Sequence, residues 1–252
     1  MNSTPLAGQV AVVTGAGRNI GRAIALALAD AGARVAVNVR ASRDEGDAVV
    51  AAIAAQRGEA MLCVADVTDR AQVDAMVAAV LARHGRIDLL VNNAAIRQEA
   101  AFGDMSFDTW RVAQSVCVDG AFHCTQAALP ALQARGGSVV NIGGMTAATG
   151  AAHRAHVVTA KAAIGGLTRA LAHELAPFGI TVNCVSPGLV DAVRHAASAS
   201  ASPAHHATHA TLVGRRGTVE EIASAVVWLA GPGARFTTGQ TLHVNGGAYL
   251  GV

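Results

Sequence analysis

The sequence predicts a single doubly wound α/β domain spanning residues 1–252, a parallel sheet with helices on both faces. Three observations predict it. Short apolar, β-branched runs recur along the chain, and stretches with helical spacing separate them. No linker or internal repeat interrupts that alternation. The chain has 252 residues, 52 % of them hydrophobic, which is enough to cover one sheet on both faces. Strands separated by helices pair in parallel through right-handed crossovers. In such sheets ligands sit at the carboxyl ends of the strands.

The first strand is Val10–Val13, and an alanine/leucine helix follows a glycine-rich turn and ends at Gly32. Arg34–Val39 is the second strand, Asp44–Arg57 a helix closed by Gly58, and Ala60–Val64 the third strand. Thr68 or Asp69 caps a helix whose Val73, Met76, Val77, Val80 and Leu81 share a face before Gly85. Ile87–Val91 is the fourth strand. A long helical region covers Ser106–Ala134, with Pro130 near its end. Ser138–Ile142 is the fifth strand, a helix begins at His153 or later and ends before Pro177, and Ile180–Val185 is the sixth strand. Residues 189–214, rich in Ala, Ser and His, form a variable loop; Val219–Ala230 is a helix and Gln240–Val244 the last strand.

The turn after the first strand carries the first chemical signal. Gly15 and Gly21 let the backbone approach a bulky anion, and the new helix aims unpaired N–H groups at it. The expectation is a pyrophosphate site; the plain alternative is a tight turn without a ligand. Asn19, between the glycines, tolerates left-handed backbone angles. Past the second strand no carboxylate occurs before Asp44, whereas Arg40, Ser42 and Arg43 are present and Arg18 lies in the glycine turn. A ribose diol wants a carboxylate there and a 2′-phosphate wants cations, so the pattern favours NADP(H) over NAD(H). Solvated loop arginines are the competing explanation.

Composition narrows the class. A net charge of +2 makes no case for nucleic acid. No apolar run reaches membrane-spanning length and no signal segment is evident, so a cytoplasmic protein is expected. Cys63, Cys117, Cys124 and Cys184 are scattered, without metal or disulfide spacing. Only 14 % of residues are charged, which favours burial between subunits. Lys161 is the only lysine and Tyr249 the only tyrosine. A solitary lysine among arginines suggests a place where arginine will not serve.

Thr14-Gly15-x-x-x-Asn19-Ile20-Gly21, Asp66-Val67, Asn92-Asn93-Ala94-Ala95, Ser186-Pro187-Gly188 and Val244-Asn245-Gly246-Gly247 resemble the short-chain dehydrogenase/reductase family. So does Arg215-Arg216-Gly217-Thr218 with Glu220-Glu221. Within the family the chain is similar to 3-oxoacyl-ACP reductase-like members. The resemblance covers nearly the whole chain. It implies hydride transfer between nicotinamide and a small-molecule carbonyl or alcohol. It implies cofactor contacts from Gly15, Arg18, Asn19, Ile20 and Gly21, adenine contacts from Asp66 and Val67, and further contacts from Asn93, Ala94, Pro187 and Gly188. It also implies a homotetramer paired through the fourth and fifth helices and the C-terminal strand.

The family's chemistry uses a tyrosine acid four residues before a lysine that holds the nicotinamide ribose. A serine polarises the carbonyl, and an asparagine supports a water relay. Lys161 matches the lysine, but the tyrosine, serine and asparagine positions are Val157, Gly144 and Cys117. Two readings follow. One is an oxidoreductase in which Lys161 positions the ribose and another group or water delivers the proton. The other is a nucleotide-binding sensor or structural subunit without turnover. His153 is a candidate acid, because 153, 157 and 161 share a face if the helix reaches back that far; otherwise it is an exposed pre-helix histidine. His156 lies off that face. Cys117 is a thiol candidate or a packing residue. His205 and His209 have helical metal-pair spacing, with His206 beside them, but no further ligand is evident and no metal site is assigned.

Overall fold

The computed structural model describes residues 4–191 and 210–251. Seven strands form one parallel sheet in the order β3-β2-β1-β4-β5-β6-β7. They are β1 (Val10–Val13), β2 (Arg34–Val39), β3 (Ala60–Val64), β4 (Leu89–Asn92), β5 (Gly137–Ile142), β6 (Ile180–Pro187) and β7 (Thr241–Val244). The helices are α1 (Asn19–Asp30), α2 (Arg43–Ala55), α3 (Arg70–His84), α4 (Phe107–Gln114), α5 (Gly120–Gln133), α6 (Thr146–Thr149), α7 (Ala155–Leu175) and α8 (Val219–Ala230).

Strand alternation divides the core. Ala11, Val13, Val35 and Val37 meet Ile20, Ile24 and Leu28 of α1 and Ile222, Val226 and Leu229 of α8 on one face. Val10, Val12, Leu90 and Val139 meet Val73 and Val80 of α3, Leu132 of α5 and Leu175 of α7 on the other. Each such fully buried Leu or Ile contributes roughly 1.5–3 kcal/mol of burial. The chain runs outward from β1 to β3, then returns to place β4 on β1's other side. The strand order reverses at β1 and β4, so a crevice opens at their carboxyl ends.

Several boundaries shift by one or two residues from the sequence expectation: the second helix runs Arg43–Ala55 and the sixth strand extends to Pro187. The fourth strand starts at Leu89; just before it, the Asp88 carboxylate accepts the Val10 N–H at 2.8 Å and is forked by Arg86. The long fourth helix is split into α4 and α5 by one π-helical turn, Ser115–Asp119. The helix expected from His153 or later starts at Ala155, because His153 adopts a left-handed φ of 58°. The short α6 was not anticipated.

Candidate active site

The turn between β1 and α1 is held by three buried or half-buried polar side chains. Thr14 Oγ1 accepts the N–H groups of Asn93 and Ala94 at 2.9 and 3.0 Å. Asn93 Nδ2 donates to the carbonyls of Thr14 and Gly15 at 2.8 and 3.0 Å. From the other side, Asn38 Oδ1 accepts the Gly15 N–H at 3.3 Å, while its Nδ2 donates to Ala65 O at 3.0 Å. The ends of β1, β2, β3 and β4 are thereby fixed around one loop. Asn93 and Ala94, expected to touch a cofactor, shape that loop; Asn38 was not singled out in the sequence.

The glycine spacing has a steric cause. A Cβ on Gly21 would lie 2.3 Å from Gly15 O and 2.5 Å from Asn93 Nδ2. Gly15 has φ 61°, and Asn19 takes the left-handed φ of 48° that its position in the motif predicts. Arg18, the N-cap of α1, makes no side-chain capping bond, and the first turn holds no acidic residue. In α3, by contrast, Asp69 accepts the N–H groups of Ala71 and Gln72. The opening turn of α1, including Ile20, thus has the donors and the dipole for an anion.

Arg40, Ser42 and Arg43 are exposed at the end of β2. Arg18 reaches to 3.8 Å from Glu45, an acidic residue of this corner that the sequence reading did not weigh. Across it, Asp66 accepts the N–H and hydroxyl of Thr68 at 2.9 and 2.8 Å, and buried Val67 packs under Gly120. A cleft of about 500 Å³ lined by Arg40, Asp66, Thr68, Arg111 and Val116, among others, opens beside them.

The other end of the crevice is built by β5, β6 and α7. Lys161 Nζ donates to Ile142 O, the last carbonyl of β5, at 2.6 Å. The turn that follows is pinned to β6: Gly143 N–H donates to Val185 O at 2.8 Å and Met145 N–H to Pro187 O at 2.9 Å. Gly188 N–H donates to Val244 O at 3.0 Å. A Cβ on Gly144 would meet nothing nearer than Lys161 Cγ, at 3.9 Å. Val157 lies one turn before Lys161 on α7 and is 3 % exposed. Cys117, 4 % exposed, sits in the π turn that packs on α7. The ammonium group thus bonds the Ile142 carbonyl, with Gly144 beside its stem and the buried thiol of Cys184 within reach of its charge.

Behind this end runs a buried polar chain that the sequence did not reveal. Asn92 Nδ2 donates to Asn141 Oδ1 at 2.8 Å and to Thr125 Oγ1 at 3.1 Å, and Asn141 Nδ2 donates to Thr168 Oγ1 at 3.0 Å. It ties β4 and β5 to α5 and α7.

The histidine candidates lie elsewhere. His153 precedes α7, is exposed, and its carbonyl accepts the Ala100 N–H at 2.8 Å. The shared face with Val157 and Lys161 is thus corrected: no helix carries His153 onto it. His156 is fully buried, and burial pushes its imidazole below the ordinary histidine pKa. Tyr249 stacks edge-on against His243, with ring centroids 5.0 Å apart. His205, His206 and His209 fall outside the described residues. Among the described residues no group of His, Cys, Asp and Glu could hold a metal, and no helix is long and apolar enough to cross a membrane. Burial raises the thiol pKa of Cys63 to about 11 and of Cys124 to about 12, so these two are packing residues.

Comparison with known proteins agrees with this architecture. Residues 15–249 match the family described as enoyl-(acyl carrier protein) reductase. The chain is 39 % identical over 241 residues to the 3-oxoacyl-[acyl-carrier-protein] reductase FabG of Staphylococcus aureus, covering 95 % of this chain and 98 % of that one. A 3-oxoacyl-[acyl-carrier-protein] reductase of Synechocystis is 39 % identical over 249 residues, covering 98 % and 99 %. Among solved structures, a short-chain dehydrogenase from Burkholderia cenocepacia in complex with NADP superposes with a TM-score of 0.90 at 35 % identity, covering 97 % of this chain and 99 % of that one. A dehydrogenase/reductase from Sinorhizobium meliloti gives a TM-score of 0.91 at 34 % identity, covering 98 % and 97 %. The chain belongs to the short-chain dehydrogenase/reductase family of oxidoreductases.

Proposed function

We propose that the chain is an NADP(H)-dependent oxidoreductase that moves a hydride between the nicotinamide and a carbonyl or alcohol carbon, in a site without the family's usual tyrosine acid. The observation that carries this reading is Lys161, whose ammonium is anchored to Ile142 O at 2.6 Å at the far end of the crevice from the glycine turn. The turn fits a dinucleotide, because the start of α1 lacks a side-chain cap and no acidic residue occupies its first turn. The relative from B. cenocepacia, described with NADP, supports the same choice.

In this reading the first-turn N–H groups of α1 hold the pyrophosphate, and Arg40, Arg43, Ser42 and Arg18 hold the 2′-phosphate. Asp66 and Val67 border the adenine, and Pro187 and Gly188 border the nicotinamide. Lys161 holds the nicotinamide ribose. When bound, the cofactor supplies or accepts the hydride. Val157 has no proton to give and Gly144 no hydroxyl, so the proton comes from water or from another donor. Nothing among the described residues favours a protein that binds nucleotide without turnover. Exposed apolar side chains on α5 (Phe122), α8 (Trp228) and β7 (Leu242) support assembly into a homotetramer, and free cysteines support a reducing, cytoplasmic setting. The names of the curated relatives support a small-molecule acyl thioester among the substrates to screen.

Fluorescence titration with NADPH and NADH tests the proposal. NADPH should bind about 10- to 100-fold tighter, the worth of one or two charge-assisted contacts. Arg40→Asp should reverse the order. Equal affinities that Arg40→Asp leaves alone would overturn the phosphate assignment, and no affinity for either nucleotide would overturn the reading.

A further inference from the structure

The surroundings of Lys161 restrict which hydride acceptors the site can serve. Hydride addition to a simple ketone leaves an alkoxide, about as basic as hydroxide, whose conjugate acid is as weak as water. Such an anion needs a proton as it forms, and a placed acid is commonly worth 10²–10⁴ in rate. Gly144 has no side chain and Val157 carries no ionisable proton. The hydroxyls of Thr146 and Ser186, near the same turn, are aliphatic alcohols and as weak as the acid required. His156 is fully buried on another face of α7, and His153 is outside the helix. The thiol of Cys184, which feels the Lys161 charge, is buried and burial pushes its pKa up, so among the described residues the group left at the site is the half-buried Lys161 ammonium.

A lone ammonium selects by sign. It disfavours an acceptor that is already cationic, such as an iminium, and favours one that becomes an anion during transfer. An anion that can form without a placed donor, and take its proton from water afterwards, is a delocalised one, with a conjugate acid near that of a phenol, about 10. We propose that the acceptors this site is built for are quinones, whose reduction leaves a phenolate-type anion beside Lys161 and needs no side-chain acid. The proposal rests on the nicotinamide-dependent reading above and specifies its substrate class.

The step balances with NADPH as reductant. The C4–H bond of the dihydronicotinamide breaks, and its electron pair and hydrogen form a C–H bond at the ring carbon β to one quinone carbonyl. The displaced π electrons move to that carbonyl oxygen. The resulting enolate takes one proton from bulk water and tautomerises to the hydroquinone. The quinone gains two electrons and the nicotinamide loses two.

Two measurements test this. The first is a spectroscopic titration of 4-nitrophenol bound to the NADP⁺-saturated protein. A positive charge within about 4–6 Å lowers an acid's pKa by 1–3 units, so the bound phenol should ionise at least one unit lower in the wild type than in Lys161→Met. An identical pKa in both overturns the role of Lys161. The second compares NADPH oxidation by 1,4-naphthoquinone and by acetophenone. The quinone should turn over at least 10²-fold faster, with a rate flat between pH 6 and 8 and slowed by deuterium at C4 of the cofactor. Ketone turnover equal to the quinone's, or a rate break near pH 6.5 reporting a histidine acid, would overturn the proposal while leaving nicotinamide dependence intact. NADPH binding without quinone turnover would also overturn it, whereas no NADPH binding would overturn the reading beneath it.

Discussion

Restoring hydroxyls to the Lys161 site is the sharpest perturbation the fold allows. A serine Cβ at position 144 would meet only Lys161 Cγ, at 3.9 Å, which is ordinary contact. Gly144→Ser should therefore cost little. Val157 is 3 % exposed and one turn from Lys161, so Val157→Tyr directs a phenol along the same helix face toward the ammonium group. The added ring overpacks the site, at about 1–3 kcal/mol of stability. Against that stands the gain of a placed acid, 10²–10⁴ in rate, equivalent to about 2.7–5.5 kcal/mol of barrier. The double variant Gly144→Ser/Val157→Tyr should thus raise kcat/KM for a simple ketone by at least 10², with Val157→Tyr alone giving most of it. Steady-state NADPH oxidation measures the gain, thermal melting the packing cost and fluorescence the retained cofactor affinity. A folded double variant that binds NADPH and reduces ketones no faster than the wild type would refute the reasoning, because the wild type would then already own an acid.

Other expectations concern the frame. Gly21→Ala places a Cβ 2.3 Å from a backbone carbonyl, so NADPH affinity should fall at least tenfold in a titration; unchanged affinity would remove the first turn of α1 from the site. The capping box of α8 pairs Thr218 Oγ1 with the Glu221 N–H at 3.3 Å and Glu221 Oε2 with the Thr218 N–H at 2.8 Å, and Thr218→Ala should cost about 0.5–2 kcal/mol in chemical denaturation. Glu221, hydrogen-bonded to Arg215, has its pKa lowered from 4.5 to about 2. A depressed carboxylate contributes stability that is fully present above its unfolded pKa and lost as pH falls through the folded one. The difference in melting temperature between wild type and Glu221→Gln should therefore shrink between pH 4.5 and 2, and a constant difference would contradict the pairing.

What the sequence disclosed was what local pattern encodes. The β-branched run at Val10–Val13, the glycine turn and the alanine-rich helix each carry their own signal, and even the left-handed Asn19 follows from residue type. The bonds that make the turn rigid were not legible. Thr14 and Asn93 are 79 residues apart and Asn92 and Asn141 are 49 apart, and only the β1–β4 and β4–β5 registers bring them together. Asn38 reads as one polar residue in an apolar strand, with nothing local to show that it bonds the glycine turn. The π turn at Ser115–Asp119 is invisible because its residues, Ser-Val-Cys-Val-Asp, include no proline or glycine that would mark a break. His153 misled because the helical spacing 153-157-161 is real in sequence, while the left-handed backbone at His153 keeps it outside α7.

The central claim is that one dinucleotide stretches from the opening turn of α1 to Lys161, and a crystal structure of the protein grown with NADPH tests it most directly. The account predicts the pyrophosphate against the N–H groups of Asn19, Ile20 and Gly21, the 2′-phosphate against Arg40, and the nicotinamide ribose within hydrogen-bond reach of Lys161 Nζ. A cofactor seated away from the α1 turn, or a ribose that leaves Lys161 bonded to Ile142 O alone, would contradict it.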